Sequence, residues 1–553
     1  MKQIFKPVSL TLIAFSLWIS WVCASLLHFD DRGNLMVQSY SVWGDWSAHF
    51  TFISALRERG LHWITGDNPL FPGIPFQYPF LSHVLTYFFS LVTFTDTIHA
   101  TYYLSVLCMF VLPFALFTVL KKLGLSPWGA LGATLGYLLM GGFQWMDSSL
   151  KSTEPLTNQF EQASVFTQFI LFEFLPQRAF LFGLLVFLGS AAYALTVKKW
   201  SLAKFIGLGL VLSLTSLMHV HTWIAVATLV FFLFLFPYSQ KNPSRKTLFL
   251  FGLGLASLSG LFLSFLLLRG HGAETRMSWN IWTPGWAQSQ DANLKRAQDM
   301  NPLVFWIFNT GIFLPLACFG MWIKRKESSL YAVAASGVLL FIVAELFKIQ
   351  PYYYDNLKLF TYAFLFFTPF VGFALEAIAG VQKIPRCVAV GCAVVLLALQ
   401  SASGAMDLRS FQNGLQKTQF FSIEEFALVE KFKTLRDSAE SVVLINPKHN
   451  HWVSCLTGNP VAMGYPGWLW SWGIAYQARE HEIQDVLFGE KAADQVISKL
   501  KIRYAVLQTG EQVANRPVNL AYFDEHFKKI ASDYGWNIYS LNDRLTSPAT
   551  SVR

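Results

Sequence analysis

Asp45 and His49 lie four residues apart in Trp43-Gly44-Asp45-Trp46-Ser47-Ala48-His49-Phe50, a spacing that puts both side chains on one face if the segment is helical. A carboxylate beside an imidazole can take the proton from an attacking hydroxyl, or the two can share a divalent metal such as Mg or Mn. The plainer alternative is that Asp45 caps a helix N-terminus. Other polar residues stand in similar surroundings, between apolar runs. Asp30 and Asp31 follow the first run, where a solvated pair is ordinary, and Tyr78 stands in Phe76-Gln77-Tyr78-Pro79-Phe80. Leu175-Pro176-Gln177-Arg178 opens a later run with an arginine, whose fork of donors suits a phosphate and whose length equally suits reaching the lipid headgroups. His219-Val220-His221 marks a tight turn, fit to bind a metal or a phosphate or simply to present polar tips. In Tyr352-Tyr353-Tyr354-Asp355-Asn356-Leu357-Lys358, Lys358 offers a cation to a lipid-borne phosphate while Asp355 and the tyrosines suit a sugar ring; an aromatic belt with an ion pair is the other reading. Arg479 follows an aromatic stretch near the C-terminus, in what reads as a charged surface helix.

These residues stand out because the rest of the chain is so apolar. Of 553 residues, 54% are hydrophobic and 14% charged, with 52 Phe and 19 Trp. That mix points to a polytopic membrane protein and away from a soluble enzyme. The net charge of +9 is spread in short clusters with no continuous basic face, so the partner it implies is the lipid bilayer and not nucleic acid. The six cysteines form neither a disulfide framework nor a zinc spacing. Ionisable groups near a bilayer tend to mark function.

The expected fold is an α-helical polytopic membrane protein of about eleven spans, at 8–27, 98–120, 128–145, 177–197, 202–218, 222–237, 247–268, 303–323, 330–347, 359–379 and 387–405. The first is read as an uncleaved span, not a signal peptide, and 78–94 as an interfacial helix. Basic clusters at Lys2 and Lys6, Lys121-Lys122, Lys198-Lys199 with Lys204, Lys241 with Arg245-Lys246, Lys324-Arg325-Lys326, and Lys383 with Arg386 mark every second connection. By the positive-inside rule this makes the N-terminus cytoplasmic. The remaining connections, which hold nearly every unusual polar residue outside the tail, then face outward together with the tail. Residues 1–405 are thus expected to form the transmembrane domain, with a large first outer loop at 28–97, and 406–553 an extracytoplasmic (periplasmic or extracellular) α/β domain. In that tail, Ser422-Ile423-Glu424-Glu425 reads as a capping box opening a helix to about residue 435. Short strands are expected at 442–445, 460–463, 504–508 and 536–541, with helices at 474–488 and 492–500. The aromatic segment 464–473 is expected to rest on the membrane face near the site.

Asp45 with His49-Phe50, then Tyr78-Pro79, on alternating outer and inner connections, resembles the C-type glycosyltransferase (GT-C) superfold, the group that contains protein O-mannosyltransferases, aminoarabinose transferases and oligosaccharyltransferases. The resemblance implies an acidic catalytic residue in the first outer loop and a polyprenyl-phosphate or polyprenyl-diphosphate sugar as donor. The expectation is a glycosyltransferase of the cytoplasmic (inner) membrane that moves a sugar at the outer face to a hydroxyl of a glycan, lipid or protein acceptor. Asp45 would be the base or orienting carboxylate, and His49 would position the acceptor or help hold a metal. Arg178, Lys358 and His219 or His221 would hold the donor phosphate, and the tail would cap the cavity. Two alternatives are a transporter or flippase of a lipid-linked saccharide, expected to show paired halves with broken helices, and a non-enzymatic envelope assembly protein.

Overall fold

The computed structural model describes residues 2–166, 168–197, 201–236, 280–289 and 295–545. The expected span at 247–268 and the basic residues Lys198, Lys199, Lys241, Arg245 and Lys246 lie outside them. Among the described residues six helices are long and apolar enough to cross a bilayer: Pro7–Ser25, Thr97–Lys122, Arg178–Thr196, Ser328–Leu346, Tyr354–Ala379 and Arg386–Gln412. Shorter apolar helices cover Leu202–Met218 and Val220–Leu233. The expected span at 303–323 is a pair of helices, Pro302–Thr310 and Phe313–Ile323, bent by 96° where Gly311 takes a φ of 60°.

The segment 128–145 departs most from expectation. Ser126 caps and Pro127 opens a helix that ends at Leu138 after 12 residues, about 18 Å long and well short of a bilayer core. The chain stops there because it must run against the backbone of the Pro302–Thr310 helix. Phe143 N donates to Phe308 O at 2.8 Å, and a Cβ placed on Gly142 would lie 1.7 Å from that same oxygen. A hydropathy window counts apolar residues whether or not they continue one helix. Gly142→Ala is therefore expected to destabilise the protein by about 1–3 kcal/mol. Gly189→Ala, where nothing lies within 4 Å of the added carbon, should be neutral or slightly stabilising. Thermal unfolding of the two solubilised variants by circular dichroism checks this order.

Tyr354–Ala379 is the central helix, with 78% of its apolar window buried against 28% for Arg386–Gln412 and 33% for Ser328–Leu346. It also separates two chemically distinct ends of the molecule. Near its C-terminus Glu376 accepts from Ser126 N at 2.5 Å and Lys324 Nζ lies 4.4 Å from the Phe373 ring, so the connections bearing Lys121-Lys122 and Lys324-Arg325-Lys326 gather there. Asp355 and Lys358 stand at the other end, about 30 Å away along the helix at ~1.5 Å per residue.

At the Asp355 end the first loop folds into definite elements. Leu27–Phe29 and Leu35–Val37 pair antiparallel, and Leu35–Val37 pairs in turn with Thr418–Phe421 of the tail. Tyr40–Arg59 is a 20-residue helix, capped by the Ser39 side chain and closed at Gly60 (φ 79°). Its residues are buried on more than one side, because Trp46 Nε1 donates to Leu175 O at 2.8 Å and Ser54 Oγ to Cys455 O at 2.9 Å. The helix Leu81–Thr93 has 13 residues, about 20 Å, too short to cross alone. Its buried face is polar (Ser82, His83, Thr86, Ser90) and its exposed face apolar (Leu85, Phe88, Leu91, Val92), the reverse of a water-facing helix and suited to lipid.

The tail carries a four-stranded sheet in the order Phe527–Asp533, Trp536–Arg544, Ile502–Gln508, Val442–Leu444, the last pair parallel. The helix Ile423–Leu435 opens with the capping box of Ser422 and Glu425, and Gln477–Phe488 and Ala493–Lys499 supply two more. The strand expected at 460–463 forms only a single bridge, Val443 to Val461. Its backbone is drawn instead to the first loop, where Val461 N donates to Pro69 O at 2.8 Å and Gly464 N to Leu70 O at 2.7 Å.

Candidate active site

A cavity of about 740 Å³ opens where the first loop, the 172–179 segment, the 218–221 turn, the start of the central helix and the tail meet. Its lining includes Asp45, His49, Tyr78, Gln177, His219, His221, Asp355, Lys358, His449 and the tail aromatics Tyr465, Trp468, Trp470 and Trp472. All these segments were read from the sequence as facing one side. The aromatic stretch 464–473 forms a wall of the cavity.

Asp45 occupies the second turn of the Tyr40–Arg59 helix. Ser39 caps that helix, accepting from Val42 N at 3.3 Å, so the capping alternative for Asp45 falls away. The Asp45 carboxylate makes no hydrogen bond or ion pair with any described residue. Burial lifts its pKa to about 7, with Asp355 adding to the rise and Lys358 opposing it. The second carboxylate of the lining is already committed, because Asp355 Oδ1 accepts from Lys358 Nζ at 2.6 Å and from Gln177 Nε2 at 3.3 Å. Lys358 is 5% exposed, so this ion pair is held in low dielectric, where an unpaired charge would be costly.

His49 does not form the expected pair with Asp45. Its Nε2 lies 3.2 Å from Pro176 O and its Nδ1 2.7 Å from His83 Nε2. Burial, with Arg178 nearby, pushes its pKa down to about 3, so the ring is neutral. A carbonyl only accepts, which puts the single proton on Nε2 and leaves Nδ1 to accept from His83 Nε2–H. With both nitrogens engaged, His49 is available neither as a metal ligand nor as a base. It fastens the helix of Asp45 to the Pro176 turn.

Arg178 is also corrected. It is fully buried and absent from the cavity lining. Its Nε donates to Ser105 Oγ and its Nη2 to Thr86 Oγ1, both at 2.9 Å, which ties three helices together; its Nη1 has no partner among the described residues, but the group is not placed to clamp a phosphate in the cavity. Arg479 reaches Pro72 O at 3.3 Å and Ala462 O at 3.1 Å and lies over the Phe71 ring, joining the first loop to the tail away from the cavity. Asp30 accepts from Arg32 N, Asn34 N and Asn34 Nδ2 within the turn that joins the first two strands. Asp31 is exposed in the same turn, and neither lines the cavity.

His219 and His221 do line it. Both are buried, and the Nε2 of each lacks a partner among the described residues. His219 is fixed by Phe180, stacked at 4.5 Å, and by Thr222 Oγ1 at 3.0 Å from its Nδ1. Glu173 was not anticipated. It is buried in the π-helical turn Ile170–Phe174, with Oε2 unpartnered among the described residues. Burial lifts its pKa to about 8, against Lys358 and with Asp355 and Asp45. An acid inside the apolar run Phe169-Ile170-Leu171-Phe172-Glu173-Phe174-Leu175 was the signal that could have found it, and π-turns recur at functional sites. His449 of the tail, its ring tilted against Trp43 of the first loop at 4.8 Å and against Tyr465 at 3.5 Å between centroids, carried no such signal.

Among the described residues no group of three or more His, Cys, Asp or Glu is placed to hold a metal, His49 has no free nitrogen, and Asp355 is paired with Lys358.

No family model matches the chain, and no curated protein matches it in sequence. Solved structures do match in fold. The archaeal oligosaccharyltransferase AglB from Archaeoglobus fulgidus, in complex with an inhibitory peptide and a dolichol-phosphate, aligns at TM-score 0.51 and 10% identity over 90% of this chain and 69% of its own. The same A. fulgidus enzyme has also been solved with zinc and sulfate. The arabinofuranosyltransferase AftD from Mycobacteria aligns at 0.57 and 12% over 97% of this chain, which spans 40% of AftD's length. ArnT from Cupriavidus metallidurans in the apo state aligns at 0.50 and 11% over 97% of this chain and 98% of its own. Spread over nearly the whole chain, these likenesses give it the fold of the GT-C membrane glycosyltransferases.

Proposed function

We propose that the protein is a membrane glycosyltransferase that moves a sugar from a polyprenyl-phosphate or polyprenyl-diphosphate donor to an acceptor hydroxyl at the outer face of the cytoplasmic membrane. The observation that carries this reading is the carboxylate of Asp45, unbonded among the described residues and facing a cavity in whose described lining Lys358 and two histidine Nε2 atoms are suited to a phosphate. The acceptor oxygen attacks the anomeric carbon, and the bond from that carbon to the phosphate oxygen breaks. The polyprenyl phosphate, or the diphosphate where that is the carrier, leaves, and the acceptor's proton passes to Asp45. Negative charge grows on the departing phosphate, where Lys358 and the free His219 and His221 nitrogens offer fixed cationic and donor groups at low dielectric. His49 and Arg178 act at one remove, holding the helices that position Asp45. No metal enters this scheme. The fold likeness favours the transferase over the transporter and assembly-protein readings, and the basic clusters at the far end of the central helix support the outward orientation.

The test is release of free polyprenyl phosphate from a polyprenyl-phosphate sugar by the purified protein in nanodiscs, followed against pH. A base must be ionised to act. With Asp45 lifted to about 7, the rate should rise tenfold per pH unit below about 7 and level off above it. Absence of release with every sugar donor offered, or a rate flat between pH 5 and 8, would count against the reading.

A further inference from the structure

The tail side of the cavity has a chemistry of its own. Two tryptophans there each meet a tyrosine from the other half of the molecule: Trp470 lies 5.8 Å from Tyr352, just before the central helix, and Trp472 lies 5.3 Å from Tyr78, just before Leu81–Thr93. Tyr465 and His449 continue the wall at 3.5 Å from each other. Trp470, Trp472, Tyr78 and Tyr465 are half-buried. Yet neither indole N–H nor any of the hydroxyls of Tyr78, Tyr352 and Tyr465 is hydrogen-bonded to a described residue. Tyr352 is exposed, and Tyr and Trp join an apolar ring to a polar tip. All five line the cavity, so aromatic faces and unused donors converge on one space.

Charge narrows the occupant. Among the described residues, the Asp, Glu, Lys and Arg of the lining are Asp45, Asp355 and Lys358; two of these neutralise each other, and none belongs to the tail wall. The ligand met by this wall is therefore uncharged and rich in hydroxyls, with apolar C–H faces to lie against rings. A peptide fits less well. The strand edge that leads into the wall is closed, since Val443 N donates to Pro460 O and Ala462 N to Val443 O, both at 2.9 Å, and strand addition needs an open edge.

We infer that Trp470 and Trp472, with Tyr78, Tyr352 and Tyr465, form a subsite for neutral saccharide rings, so that one substrate of the enzyme presents an uncharged glycan to the tail. This rests on the transferase reading for its use, though not for its binding chemistry. The glycan belongs either to the acceptor or to the donor's own saccharide.

The full-length protein in nanodiscs is titrated with maltotriose, cellotriose and chitotriose, read by tryptophan fluorescence. At least one should bind saturably, and Trp470→Ala should raise its Kd about tenfold or more, with Trp470→Tyr restoring most of the affinity and an unchanged melting temperature excluding misfolding. Asp45→Asn should leave this Kd unaltered. No saturable trisaccharide, or a Kd indifferent to Trp470→Ala, overturns the subsite, and a Ser/Thr-rich peptide pool that displaces the sugar assigns the wall to peptide instead. Saccharide binding without transfer by the wild type sinks the transferase reading and leaves the subsite standing. Transfer with every KM unchanged in Trp470→Ala does the reverse. Where both hold, the KM that rises in Trp470→Ala, for acceptor or for lipid-linked donor, identifies the source of the glycan.

Discussion

Asp45→Asn should lower transfer by about 10²–10⁴-fold, the usual loss when a positioned base is removed, while the protein still inserts and still binds its donor. The amide keeps the shape and cannot take a proton. The same change should stabilise the fold in a pH-dependent way. Asp45 has a pKa of about 7 in the folded protein against an ordinary 3.8, so the folded state holds the proton more tightly than the unfolded chain. The associated stability is complete below pH 4 and is lost as pH rises through 7. Replacing Asp45 removes that loss, so the variant should melt higher than wild type at pH 8 and alike at pH 4. Full transfer by the variant would end the assignment of Asp45 as base. Equal melting at pH 8 would show that its carboxyl is not held at raised pKa.

Lys358→Met carries the second large effect. It leaves Asp355, its side chain 13% exposed, with Gln177 as its one hydrogen-bond donor among the described residues, and breaking a largely buried pair from one side costs about 3–5 kcal/mol. Adding Asp355→Asn removes the stranded charge and should recover most of the stability. It should not recover function, because the cavity then has no lysine among its described lining residues. The double variant is therefore expected to melt near wild type while its KM for the lipid-phosphate donor rises tenfold or more. A double variant with unaltered donor KM would mean that Lys358 serves the fold alone.

Those two variants act on residues that local sequence could point to. Asp45 is an acid four residues before a histidine in a chain with 14% charged residues, and Asp355 with Lys358 is an i, i+3 pair at the end of an apolar run; both readings need only a short window. The same holds for the long apolar helices and for the Ser422–Glu425 capping box, since hydropathy and first-turn hydrogen bonds are properties of neighbours in the chain. The membrane class, the aromatic tail segment and the acid to watch were therefore legible from the sequence.

Which way a side chain turns was not. Arg178 looked like a phosphate clamp, and it faces inward because its partners Thr86 and Ser105 come from 92 and 73 residues away. Arg479 is claimed by Pro72, 407 residues distant, and His49 by His83 and Pro176. The run at 128–145 stops short because the Phe308 backbone crosses it. His449 joins the cavity only through the packing of the tail, and Glu173 is buried in a π-turn next in the chain to the lining residue Phe172. A buried polar atom takes whichever partner the whole fold brings within about 3 Å, and no window along the sequence contains that information.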